Sequence, residues 1–112
     1  MSVVPKTSQH ADLDAFAAIA HPARRKILDL LAREEHSVTE LARPFNMSRP
    51  AVSQHLKILL DVGLVDVTRV GREQRYRLRG EPLAAVYDWV GHYTRFWAEK
   101  LDDLGKYLEE NE

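Results

Sequence analysis

Apolar positions in the first sixty residues recur at three- and four-residue intervals, broken at a few polar or proline-containing points. Leu13, Phe16, Ala17 and Ala20 predict a short helix that Asp12 can cap. His21-Pro22 breaks it. Pro22 suits the first turn of a second helix, where its missing N–H is no loss, and Ile27, Leu28, Leu30 and Leu31 supply a buried stripe up to about Glu35. Ser37 or Thr39 opens a third, short helix containing Leu41, Ala42 and Phe45; Asn46, tolerant of left-handed backbone, is placed to end it. In MSRPAVSQHLKIL, residues 47–59, Ser48 is a natural N-cap and Pro50 falls in the first turn. Val52, Leu56, Leu59 and Gly63 then share one face of this fourth helix, while Pro50, Ser53, Gln54, Lys57 and Asp61 spread over the other.

Beyond Gly63 the period changes from helical to alternating. Val65 and Val67 alternate with Asp66 and Thr68, and Tyr76 and Leu78 with Arg75, Arg77 and Arg79, around Gly71-Arg72-Glu73. This predicts a two-stranded hairpin over 64–79, which must lean on the helices through its apolar face because an isolated hairpin is marginal. From Pro82 to about Glu110 the pattern predicts one long helix, with Leu83, Val86, Val90, Tyr93, Trp97, Leu101, Leu104 and Leu108 as its stripe. At 1.5 Å per residue it would extend about 40 Å, more than a domain of this size needs for its own core. A second copy is the expected cover for the surplus.

Composition narrows the class. A chain of 112 residues, 45% hydrophobic and 29% charged, is expected to form one globular domain, here 12–112 after a flexible segment at 1–11. The fold class expected is mainly α with a small β-hairpin. There is no cysteine, which excludes disulfides and thiolate metal sites. No apolar run approaches a signal peptide core or a membrane span, so no membrane partner is expected and the location is read as cytoplasmic. The net charge of −1 conceals an uneven distribution: residues 41–80 carry eight Lys/Arg against three Asp/Glu, and residues 81–112 three against eight. From Leu41 to Leu60 there is no acidic side chain, so a phosphate backbone would meet no repulsion there.

Three helices, the last two joined by a tight turn, followed by a basic hairpin make a winged helix-turn-helix: helix-turn-helix over 37–62, wing over 64–79, C-terminal helix over 82–110. In HPARRKILDLL (21–31), SVTELARPFNMSRPAVSQHLKILLDVGLV (37–65) and VGREQRYRL (70–78) the sequence resembles the ArsR/SmtB family of bacterial repressors. That resemblance implies a homodimer joined by its first and last helices, with interface residues Leu13, Phe16, Val86, Val90, Tyr93, Trp97, Leu101 and Leu104. It implies double-stranded DNA as partner and a repressor acting by promoter occlusion. Carried over position by position, the reading-helix contacts fall on Ser48, Arg49, Ser53, Gln54 and Lys57, and the wing contacts on Arg69, Arg72 and Arg75. Gln54 and Arg49 have the bidentate chemistry that reads adenine and guanine edges; Ser48, Lys57 and the wing arginines suit phosphate.

The chain departs from the metal-sensing members of that family. Where arsenic and cadmium sensors carry cysteines it has Ser37 and Thr39, and on the last helix Asp88 and His92 share a face with no second histidine following, Glu99 being the remaining candidate. No metal and no cofactor are expected, and the sequence names no small-molecule effector. The alternative is a winged-helix module for protein partners or single-stranded nucleic acid. An enzyme is not expected: Ser53 and His55 lie two apart on a helix and diverge, and no Gly-rich phosphate loop is present. His55 reads as partly buried packing beside the apolar face of its helix. Arg24, Arg25 and Lys26, at a helix start where cations oppose the dipole, suit either phosphate or an internal ion pair. Trp89, Tyr93, Phe96, Trp97 and Tyr107 fit a dimer core or the lining of an effector pocket.

Overall fold

The computed structural model describes residues 14–110. Six helices and three strands follow in the order α1 (Ala15–Ile19), α2 (Pro22–Leu31), β1 (His36–Ser37), α3 (Val38–Ala42), α4 (Arg49–Asp61), β2 (Val65–Val70), β3 (Glu73–Leu78), α5 (Leu83–Gly91) and α6 (Thr94–Glu110). The architecture is the mainly helical winged helix-turn-helix that the sequence pattern implies.

The core forms where α2, α3 and α4 turn their apolar faces together. Ile27, Leu41, Val52, Leu56 and Leu59 are fully buried, and Leu64 and Val65 close the core from the start of the wing. Each such side chain contributes about 1.5–3 kcal/mol by leaving water, so these few residues hold three short helices that would not persist alone. Phe45, Met47, Tyr76, Leu78, Leu83 and Val86 pack around this centre, half-buried.

Local chemistry sets the helix boundaries. The Asp14 carboxylate accepts from the Ala17 N–H at 3.0 Å and caps α1, which buries Ala15 and Ala18 and leaves Phe16 on the outside. The expected cap Asp12 and core residue Leu13 lie outside the described residues. Ser37 and Glu40 form a reciprocal capping box at α3: Ser37 Oγ accepts from the Glu40 N–H and Glu40 Oε1 from the Ser37 N–H. At α4, Ser48 Oγ accepts from the Ala51 N–H at 3.3 Å, and Pro50 sits in the first turn without breaking the helix.

Four expectations are corrected. The α3–α4 turn is made without left-handed backbone at Asn46, since no non-glycine residue among those described has positive φ; it begins with a Phe45 N–H to Ala42 carbonyl bond of 3.1 Å and ends with Ser48 extended. The second helix ends at Leu31, not near Glu35, because the Arg33 N–H bonds only three residues back, to the Leu30 carbonyl at 3.2 Å, which tightens the last turn before the chain enters β1. The sheet has three strands in the order β1-β3-β2, not two, because His36 and Ser37 pair antiparallel with Tyr76 and Arg75. A two-residue strand leaves no alternation in the sequence to detect.

The fourth correction concerns the C-terminal helix over 82–110, which is interrupted. The N–H of His92 bonds to Trp89 and Val90 carbonyls and that of Tyr93 to Val90, tightening the last turn of α5 before α6 resumes at Thr94. Gly91 at that point lowers the cost of leaving the helix. The wing itself follows its alternation: Val65 pairs with Leu78 and Val67 with Tyr76 on the core face.

Candidate nucleic-acid interface

The N-terminal half of α4 presents a polar, acid-free surface because its apolar residues are committed to the core on the opposite side. Ser48, Arg49, Ser53, Gln54 and Lys57 are all exposed. Among the described residues, Arg49, Ser53, Gln54 and Lys57 have no hydrogen-bond or ion-pair partner, so their donors and acceptors are available to a ligand.

An open cleft of about 320 Å³ lies between this end of α4 and the wing, lined by Ser37, Val38, Thr39, Arg49, Arg69, Arg72, Glu73 and Gln74. Three guanidinium groups from two elements border it. Its one carboxylate, on Glu73, is engaged by Arg75 Nη1 at 3.0 Å. Arg69 Nε donates to the Gly71 carbonyl at 3.2 Å, which fixes the hairpin tip, where Gly71 has φ +65°. Arg72 extends from that tip with no partner among the described residues. Thr39 and Gln74 also line the cleft; in the sequence Thr39 stands out only as a possible helix start and as the position where metal sensors carry cysteine, and Gln74 lies in a strand too strongly charged for one polar residue to stand out.

Arg75 is a correction. Its register position opposite Ser37 aims it back into the domain, where Nε meets Glu35 at 2.9 Å and Nη2 meets Glu40 at 3.3 Å and the Glu35 carbonyl. Its hydrogen bonds to the Glu35 and Glu73 carboxylates hold its pKa above the ordinary arginine value. It ties β3 to the start of α3 and is not a free wing contact. Arg77 and Arg79 are similarly used: they clamp Asp66 at 2.8 and 2.9 Å and hold its carboxyl below the usual range. Of the five arginines in 69–79, only Arg69 and Arg72 face the cleft.

The cations at the start of α2 are engaged within the domain. Arg24 Nε donates to the Ala18 carbonyl at 2.7 Å and Arg25 Nη1 to that of Ile19 at 2.6 Å, satisfying carbonyls at the end of α1. Lys26 lies over the Phe45 ring at 5.7 Å. Arg24 Nη1 also reaches His55 Nδ1 at 3.4 Å, and the His55 ring packs edge-on against His21 at 4.6 Å. Burial first, then the neighbouring His21 and Arg24, lowers the His55 pKa. His55 is therefore a neutral packing group joining α2 to α4.

The expected interface residues that are described lie along α1, α5 and α6. Phe16 meets Trp89 edge-to-face at 5.8 Å, and Trp89 meets Tyr93 at 5.4 Å. Val90, Tyr93, Trp97, Leu101 and Leu104 are each between 42% and 64% exposed, unusual for large apolar side chains. Val86 differs, because it packs half-buried against its own core. Leu13 lies outside the described residues. Trp89, Val90, Tyr93, Phe96 and Trp97 line an open apolar groove of about 320 Å³.

Of the positions set beside the metal sensors, Ser37 is buried with its hydroxyl used as the α3 cap, and Asp88 and His92 border an open cleft shared with Tyr87 and Thr94. Among the described residues no group of three or more His, Asp or Glu could hold a metal ion. Nor is any helix among them long and apolar enough to cross a membrane.

Comparison with known proteins places these features in context. The family model described as "Bacterial regulatory protein, arsR family" matches residues 21–67. The HTH-type transcriptional regulator Rv2034 of Mycobacterium tuberculosis is 38% identical over 85% of this chain and 86% of its own. The transcriptional repressor SdpR of Bacillus subtilis is 36% identical over 69% of this chain and 86% of its own. Among solved structures, a homodimeric winged helix-turn-helix DNA-binding domain from Mycobacterium bovis superimposes with a TM-score of 0.57 at 35% identity, covering 74% of this chain and 77% of that one.

Proposed function

The chain belongs to the ArsR family of bacterial regulatory proteins, and from that premise we propose that it is a homodimeric transcriptional repressor that occludes a promoter by binding an imperfect palindrome in double-stranded DNA. The observation that carries this reading is the exposed, acid-free face of α4 beside an open cleft that Arg49 at its start shares with Arg69 and Arg72 of the wing. The relatives' names, a repressor among them and a homodimeric DNA-binding domain among the structures, support it.

The α4 residues divide by position. Ser53 and Gln54 lie one turn inside the helix, on its outer face, and Gln54 can make the two hydrogen bonds that read adenine. Arg49, the first residue of α4, shares its cleft with two wing arginines, which favours a clamp on a backbone phosphate over the guanine reading its chemistry also allows. Ser48, Lys57, Arg69 and Arg72 supply further phosphate contacts. A two-fold dimer would place its α4 helices in successive major grooves, with half-sites about one helical turn, roughly 34–36 Å, apart.

Genome-wide binding followed by footprinting and affinity measurement across a salt series tests the assignment. A symmetric protected site is expected, with affinity falling by about 0.9 log units per phosphate contact per log unit of salt. Gln54→Ala should lose about 1–3 kcal/mol of discrimination at one base pair, whereas Arg49→Ala and Arg72→Ala should weaken all sequences alike and each flatten the salt slope by about one contact. Equal affinity for a shuffled duplex, or a flat salt response, would instead favour a module for protein partners or single strands.

A further inference from the structure

The cleft between α4 and the wing is bordered by the guanidinium groups of Arg49, Arg69 and Arg72 and, among the described residues, by one carboxylate, on Glu73. A carboxylate there works against a polyanion twice: it repels phosphate, and it can pair with the arginines that phosphate needs. The Glu73 side chain is 56% exposed, so burial does not prevent either effect. What restrains it is Arg75, two positions along β3 on the same face of the strand, whose Nη1 donates to Glu73 Oε1 at 3.0 Å. Arg75 itself does not line the cleft. Its other nitrogens are anchored elsewhere: Nε donates to Glu35 Oε1 at 2.9 Å, and Nη2 to Glu40 Oε1 and to the Glu35 carbonyl, each at 3.3 Å. Glu40 is in turn fixed by the capping box of α3. The guanidinium is thus a fixed charge, held from one side by Glu35 and Glu40 and presenting Nη1 to Glu73.

We propose that Arg75 is a positioning residue for DNA binding: without lining the cleft, it holds and neutralises the Glu73 carboxylate, so that Arg49, Arg69 and Arg72 stay available to backbone phosphate. This rests on the DNA-binding reading above and gives Arg75 a role at one remove from the nucleic acid. A residue that only braced β3 against α3 would act through Glu35 and Glu40, whereas the charge effect runs through Glu73. Substituting the carboxylates one at a time separates the two.

Because the effect is one of charge, a labelled duplex of mixed sequence at low salt reads it without an operator. Arg75→Gln should weaken binding about five-fold, the size of one charge–charge interaction a few ångströms apart in water. The loss should fade as salt is raised. Adding Glu73→Gln should restore affinity to within about two-fold of wild type, the ordinary error of additivity. The melting temperature should nevertheless stay as low as in Arg75→Gln, since the contacts to Glu35 and Glu40 are still missing. Adding Glu35→Gln to Arg75→Gln gives the same net charge and should restore nothing. No recovery with Glu73→Gln, or equal recovery with Glu35→Gln, overturns the proposal. Should Arg75→Gln fail to fold, Glu73→Gln in the otherwise wild-type chain decides: tightening of less than about two-fold is expected, and tightening of about five-fold means that the carboxylate was never masked, which overturns the proposal. A wild-type protein that binds no duplex overturns the DNA-binding reading, and this role for Arg75 with it.

Discussion

Protonating His55 would place a positive charge against the Arg24 guanidinium and beside the His21 ring, in a site already withdrawn from water. Its pKa in the folded protein is therefore below that of the unfolded chain, near 6.5. Above about pH 6.5 the group is neutral in both states and costs nothing; as the pH falls through that value the unfolded chain takes the proton first, so stability declines until the folded-state pKa is passed. Denaturant titrations of wild type and His55→Leu between pH 7.5 and 5 should show this decline in the wild type and a shallower one in the variant. Parallel curves would remove His55 from the account. The same contact explains why a histidine stands beside the apolar face of α4: Arg24, committed to the carbonyls of α1, supplies the polar neighbour that keeps it from being an orphan.

Among the elements, the end of α4 is the most tightly specified. Gly63 adopts φ +79°, its N–H bonds to Leu60 and that of Leu64 to Leu59, and Leu59 and Leu64 are both fully buried. This closure turns the chain from the reading helix into β2 and sets where the wing lies relative to α4. An added Cβ would meet only Pro82 at 3.7 Å, an ordinary contact, so the penalty for Gly63→Ala is conformational. A loss of about 1–2 kcal/mol is expected in thermal or denaturant unfolding. A larger fall in DNA affinity than in stability would show that wing placement suffers as well. Gly71 at the wing tip has φ +65° and open space around it, so the same argument applies there with less at stake for the core.

At the scale of the molecule, apolar surface is divided unevenly. The helix-turn-helix and wing root hold the core, while α5 and α6 leave Trp89, Tyr93, Phe96, Trp97, Leu101, Leu104 and Leu108 about half exposed or more. A homodimer that covers this face would link folding to association, so its melting temperature should rise with protein concentration. Leu101→Lys should reduce that dependence and lower the melting temperature at high concentration, with little effect on the helix-turn-helix core. A melting temperature independent of concentration in the wild type would argue against the surface being an interface. Separating the two faces lets a phosphate-binding surface coexist with a net charge near neutrality: the basic residues concentrate in 41–80, and the acidic excess follows in 81–112.

The sequence by itself determined what periodicity and capping can specify: the helical face of α4, the capping role of Ser48, the alternation of the wing and the apolar stripe of the C-terminal region. Those properties depend on neighbours within a turn or two of helix or a few residues of strand. Tertiary structure decided which charges remain available. Arg69, Arg72, Arg75, Arg77 and Arg79 are alike in sequence, but the pairing of β3 with β1 delivers Arg75 to Glu35 and Glu40, and the pairing with β2 delivers Arg77 and Arg79 to Asp66. The same holds for Arg24 and His55, thirty-one positions apart and brought together only when α2 packs on α4. A side chain's partner is set by register and packing between distant segments, and no local pattern encodes that distance.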